Sequence, residues 1–171
     1  IKDMGTPERL KNVNEDIKNG VVCSRNTSNK RKAIFLDRDG TINIENGHIK
    51  NLNDFELIKD AGNAIKMINK SKFLAICITN QPVLARGECS SDELDMIHNK
   101  MESDLGLLGS YLDHIYYCPH HPESGFEGEV KELKIKCNCR KPKPGMLINA
   151  RDDFNINIED CWFVGDSEAD I

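Results

Sequence analysis

Ala33-Ile34-Phe35-Leu36-Asp37-Arg38-Asp39-Gly40-Thr41 sets a continuous apolar run directly against two carboxylates at spacing i, i+2. Four apolar residues with no polar alternation suit a strand covered on both faces, so residues 33–36 predict a strand of a buried parallel sheet. Gly40 permits a sharp turn out of it. Working outward, residues 73–78, 114–117 and 162–164 read as further strands, with Trp162 expected in the core. Helices are predicted over 61–70, over 91–105 behind a Ser90/Glu93 capping box, and from Pro144 to Phe154. Strands alternating with helices predict an α/β class, a three-layer, Rossmann-like parallel sheet.

Each run gives way to polar groups: Leu36 to Asp37, Ile78 to Thr79-Asn80, and Val164-Gly165 to Asp166. In open parallel sheets the ligand crevice lies beyond the carboxyl ends of the strands, so distant stretches deliver these groups to one place. Of Asp37 and Asp39, one carboxylate can attack phosphorus while the other moves protons on the leaving group and then on water. A carboxylate approaching a phosphate dianion needs a cation. Mg²⁺ fits, and Asp166 is a natural extra ligand. Lys141 is the candidate fixed positive charge, with the Thr79 hydroxyl as a hydrogen-bond donor and Arg140 suited to a second anionic group. Taken alone, Asp-x-Asp-Gly also suits an ordinary turn or a Ca²⁺ loop. Its place after an apolar strand, with the other polar strand ends, favours catalysis.

Composition narrows the class. The 171 residues carry 23 Lys+Arg and 28 Asp+Glu, a formal charge of −5, which argues against nucleic acid as the partner. No run approaches the ~20 apolar residues of a spanning helix, so no membrane partner is expected. Seven cysteines, an odd number without a leader of secretory type, fit a reducing cytoplasm better than a disulfide framework. Cys23, Cys77, Cys89 and Cys161 read as scattered thiols. Cys118, His120, Cys137 and Cys139 instead make a closed tetrahedral Zn²⁺ set, structural in kind, that would clamp the loop between them and hold Arg140 and Lys141 against the crevice. His121 is an equally reachable fourth ligand. His48, His98 and His114 read as ordinary surface or core histidines.

Upstream, Thr6 can cap a short helix opened by Pro7, with Leu10, Val13 and Ile17 as its apolar stripe. Residues 23–32 read as a polar linker ending in a solvated Lys30-Arg31-Lys32 run. The chain opens at Ile1 and stops at Ile171, and is expected to be a piece of a longer polypeptide.

Taken together, FLDRDGT (35–41), ITNQ (78–81), RKPKPG (140–145) and VGDSEAD (164–170) resemble, in order, the four motifs of the haloacid dehalogenase superfamily of phosphohydrolases. FLDRDGTIN, YCPHHP and CNCRKPKPGM are similar to its cap-less, zinc-bearing heptose-bisphosphate phosphatase and histidinol-phosphatase subgroup. The resemblance implies Asp37 as nucleophile and Asp39 as acid/base. Mg²⁺ would sit on the Asp37 side chain, the Asp39 carbonyl and Asp166, and Thr79 and Lys141 would stabilise the phosphoryl group. Arg140, Asn80, Gln81 and the loop Glu45, Asn46, Gly47 and His48 would meet a sugar phosphate. Pro82-Val83-Leu84 stands where heptose enzymes commonly carry Ser-Gly-Ile, and Ser167 where a lysine is common. Asp3-Met4-Gly5-Thr6-Pro7-Glu8 resembles the closing segment of sugar-phosphate nucleotidylyltransferases, which implies a fused enzyme of nucleotide-activated heptose synthesis. Residues 1–22 would then belong to that upstream domain, 23–32 to a linker and 33–171 to the phosphatase. The family's sheet order places a further strand beside the fourth, so an exposed apolar flank is expected there.

Overall fold

A computed structural model describes residues 4–170 apart from Arg25, Thr27 and Phe126. Asp3 of the upstream segment, Arg25 and Thr27 of the linker, and the terminal Ile171 lie outside the described residues. Four strands, β1 (Lys32–Leu36), β2 (Phe73–Asn80), β3 (His114–Cys118) and β4 (Trp162–Val164), form one parallel sheet in the order β3-β2-β1-β4. Phe35 registers with Ile76 and Phe163, and Thr79 with Tyr117.

The unbroken apolar runs have a simple cause: each face of the sheet meets its own core. Leu36, Ala75 and Cys77 face a cluster containing Ile65 of helix α3 (Ala61–Lys70) and Leu94, Ile97, Met101 and Leu105 of helix α4 (Ser91–Leu107). Ala33, Phe35, Leu74, Ile76 and Ile78 face Met146 and Ala150 of helix α5 (Gly145–Phe154). The α/β three-layer arrangement is therefore present as expected. The Ser90 hydroxyl accepts the Glu93 N–H at 3.2 Å, and the Glu93 carboxylate accepts the Ser90 N–H at 2.8 Å, so the capping box starts α4.

Two expectations need correction. Trp162 is not in the core: on β4, the edge strand of the described sheet, Trp162 is 69% and Val164 47% exposed. Only Phe163 between them turns inward, stacking on Phe35 with ring centroids 6.4 Å apart. Arg31 is not solvated either. Its Nε donates to the Phe154 carbonyl at 3.0 Å and its guanidinium lies over the Phe154 ring, while its backbone bridges to Ile156.

Ahead of the sheet, the helix α1 (Pro7–Lys18) is capped by Thr6 and followed by one short turn, α2 (Val21–Ser24). No residue of α1 is buried; Leu10 and Ile17 of its stripe face solvent. Among the described residues, no helix is long and apolar enough to cross a membrane.

Candidate active site

β1 ends at Leu36, and the Asp37 N–H is still held by the Val164 carbonyl at 2.9 Å, so the sheet itself aims the first carboxylate. The chain then turns sharply. Gly40 has φ +74°, and a Cβ there would collide with the Asp166 carboxylate, so only glycine lets the β1 and β4 ends come together. Asp37, Asp39, Thr79, Asn80, Arg140, Lys141, Asp166 and Ser167 line a cavity of about 190 Å³ at the carboxyl end of the sheet. Glu45, Gly47, His48 and Pro82 form its outer wall.

At its floor, Lys141 Nζ lies 2.8 Å from Asp37 Oδ1 and 2.6 Å from Asp170 Oδ1. Asp37 Oδ1 also accepts the Arg38 N–H at 2.7 Å. Burial pushes the Asp37 carboxyl up, against the pull of Lys141. Burial acts in the same sense on Asp170, but the bonds from Lys141 and Ser167 outweigh it and hold that carboxyl below its usual range. Lys141 is itself positioned by Asn80, whose side chain accepts the Lys141 N–H at 3.0 Å and donates to the Lys141 carbonyl at 3.3 Å.

Asp39 sits in a cradle of donors. Arg38 reaches it through Nε and Nη2 at 3.0–3.2 Å, Asn43 Nδ2 at 3.0 Å and Gln81 Nε2 at 2.9 Å. Gln81 also donates to Thr79 Oγ1 at 2.9 Å. Gln81 is therefore buried behind Asp39 rather than lining the cavity, and Asn46 stays on the exposed loop outside it.

The carboxylates of Asp37, Asp166 and Asp170 bring ligand atoms within 4.8 Å of one another, a hard-oxygen set that suits Mg²⁺. A second set stands at the end of β3. The Cys118, Cys137 and Cys139 sulfurs lie 3.1–3.5 Å apart, and His120 Nδ1 is 3.2 Å from Cys139 Sγ. Tetrahedral Zn–S bonds of about 2.3 Å place ligand atoms somewhat under 4 Å apart, so this donor set fits zinc. His121, the open alternative, turns its Nδ1 into its own loop to accept the Glu123 N–H at 3.3 Å. The two sites are linked, because Arg140 Nη1 donates to the His120 carbonyl at 3.3 Å.

Asp170 escaped the sequence reading although it lies inside the quoted 164–170 motif; a carboxylate four residues after Asp166 was its only signal. Arg38, Asn43 and His98 were missed too. Arg38 did stand out in one respect: it is a cation set between two carboxylates after a buried strand.

Comparison with known proteins bears on this geometry. Residues 138–171 match the sequence model of the HAD-hydrolase-like family. The D-glycero-beta-D-manno-heptose-1,7-bisphosphate 7-phosphatase of Escherichia coli K12 is 40% identical over 139 residues, 81% of this chain and 71% of that protein. The chain belongs to the HAD-like phosphatase family, a family of phosphoric monoester hydrolases. Within it, D,D-heptose 1,7-bisphosphate phosphatase from B. bronchiseptica, solved with magnesium and phosphate, superposes with a TM-score of 0.70 at 31% identity, covering 82% of this chain and 72% of that one. A Mesorhizobium loti protein described as a HAD-like phosphatase gives a TM-score of 0.76 at 29% identity, over 82% of this chain and 66% of that one.

Proposed function

We propose that this chain is a Mg²⁺-dependent phosphatase that removes the 7-phosphate of D-glycero-D-manno-heptose 1,7-bisphosphate. The observation that carries the reading is the convergence of Asp37, Thr79, Lys141 and Asp166 from three strand ends and one loop on a single cavity. Its relatives' names supply the sugar.

The Asp37 carboxylate attacks phosphorus as the P–O bond to the sugar breaks, and Asp39 gives its proton to the departing oxygen. Asp39 then takes a proton from water, whose oxygen attacks the aspartyl-phosphate, releasing phosphate and restoring Asp37. Lys141 Nζ and the Thr79 hydroxyl hold the charge on the transferring group. The Asp37 side chain, the Asp39 carbonyl and Asp166 would hold Mg²⁺, which would supply the positive charge that lets two anions meet. Cys118, His120, Cys137 and Cys139 would hold Zn²⁺ as a closed structural set. Arg140 and the wall residues Glu45, Gly47 and His48 receive the rest of the sugar bisphosphate, with Asn80 and Gln81 holding Lys141 and Asp39 beneath it.

Phosphate release tests the reading. The intact chain with Mg²⁺ should hydrolyse the heptose bisphosphate, and Asp37→Asn should abolish turnover. A preference for histidinol phosphate in the same assay would replace the sugar with that substrate, and undiminished release by Asp37→Asn would refute the mechanism.

We further infer that residues 1–22 close an upstream nucleotidyltransferase domain and that 23–32 link it to a phosphatase domain over 33–171. Supporting this, α1 buries nothing and carries a solvent-facing apolar stripe. Use of Cys118, Cys137 and Cys139 as zinc ligands suits a reducing, cytoplasmic compartment.

A further inference from the structure

Arg38 is the most enclosed charged residue described here: its side chain is 0% exposed. A buried guanidinium is a poor source of stability, since packed apolar residues of similar volume do as well or better. Its position therefore asks for another explanation. The fork made by Nε and Nη2 closes on the Asp39 carboxylate, with contacts of 3.2, 3.0 and 3.1 Å. The remaining arm, Nη1, lies 3.3 Å from Nε2 of His98. A guanidinium has only donors, so His98 Nε2 accepts, and the ring is neutral with its proton on Nδ1. His98 belongs to the buried stripe of α4, alongside Leu94, Ile97 and Met101, and its ring lies against Tyr117 of β3 with centroids 5.5 Å apart. A chain of contacts thus runs from helix α4 through one planar cation to one carboxylate.

We propose that Arg38 and His98 are a positioning pair for Asp39: His98 fixes the plane of the guanidinium, and the guanidinium fixes the carboxylate that transfers the proton. Proton transfer tolerates little misplacement, and bidentate contact to a planar cation restricts a carboxylate far more than a lysine would. Asn43 and Gln81 complete the cradle from the other sides, Gln81 tying it to Thr79. The inference rests on the reading of Asp39 as the acid/base group.

The test compares leaving groups. A sugar alkoxide needs a proton to depart, whereas p-nitrophenolate leaves without one. Arg38→Lys should lower kcat on heptose bisphosphate by roughly 10²-fold, the scale of general acid catalysis, with KM changed by less than about twofold. The pre-steady-state burst of p-nitrophenol from p-nitrophenyl phosphate should change by less than about threefold, because that step does not use the proton. His98→Leu should give the same pattern at about tenfold, and His98→Gln, whose Oε1 can accept from Nη1, should return kcat to within about threefold of wild type. Equal losses on both substrates would reduce the pair to a structural role and overturn the proposal, as would a His98→Leu enzyme of unchanged kcat. If Arg38→Lys does not fold, the two His98 variants decide the matter alone. Asp39→Asn separates the two levels: if it leaves sugar-phosphate turnover intact, the acid/base reading itself fails, whereas its loss beside an unaffected Arg38→Lys removes only the pair.

Discussion

Single residues carry the closest tolerances at this site. Gly40 combines a left-handed φ with contact against the Asp166 carboxylate, so Gly40→Ala must both strain the backbone and push Asp166 aside. It is expected to cost about 1–2 kcal/mol of stability and at least tenfold in kcat/KM, measured by urea unfolding and phosphate release. His98 adds a pH signature. Burial, reinforced by the Arg38 charge, lowers its pKa to about 4, below the ordinary value of 6.5. Between those values the unfolded chain binds a proton that the folded chain refuses. The contribution is therefore fully present above pH 6.5 and is lost as pH falls toward 4, by about 2 kcal/mol between pH 7 and pH 5. Urea unfolding at the two pH values should show it, and His98→Gln should remove that part of the slope.

At the scale of elements, the segment from Cys118 to Cys139 has few ways to order itself. Among the described residues it contributes one three-residue turn of 3₁₀ helix, Lys131–Leu133, and mostly exposed side chains, yet it ends on the backbone that carries Arg140 and Lys141. Bound zinc would supply on the order of 10 kcal/mol of ordering there. Stripping zinc with a chelator, followed by assay in excess Mg²⁺, should lower the melting temperature and phosphatase activity together, and added Zn²⁺ should restore both. Cobalt substitution should give the visible absorption of a tetrahedral thiolate site, and Cys139→Ser should lose it. An unchanged melting temperature and activity after chelation would show that the loop orders without metal. The loop also explains a choice the sequence left open. His120 and His121 are adjacent, so spacing does not separate them; in the fold His120 Nδ1 lies beside Cys139 Sγ, while His121 Nδ1 accepts the Glu123 N–H.

For the whole molecule, both cores and the candidate site are built from residues after the linker, while α1 contributes to neither. Deleting residues 1–20 should leave stability within about 0.5 kcal/mol, by urea unfolding, and phosphate release unchanged. A larger loss would mean that α1 serves the phosphatase rather than an upstream partner. The layered fold was legible because buried parallel strands need continuous apolar runs, and residues 33–36 and 73–78 have them. Trp162 shows the limit of that rule. An apolar triplet reads the same at a sheet's edge as at its centre, and only the order β3-β2-β1-β4 exposes it.

What the sequence determined by itself is chemical: two carboxylates after a strand, a lysine beside a Cys/His cluster, and an aspartate after the last strand. These are local facts, since a strand end and a turn are set by a few neighbouring residues. What only tertiary structure decided is which groups meet. Asp170 joins Lys141 across 29 residues, Asn80 clamps the Lys141 backbone across 61, and His98 reaches Arg38 across 60. No spacing rule encodes such pairs. They arise because parallel crossovers return every strand end to the same edge of the sheet, where side chains distant in sequence become neighbours.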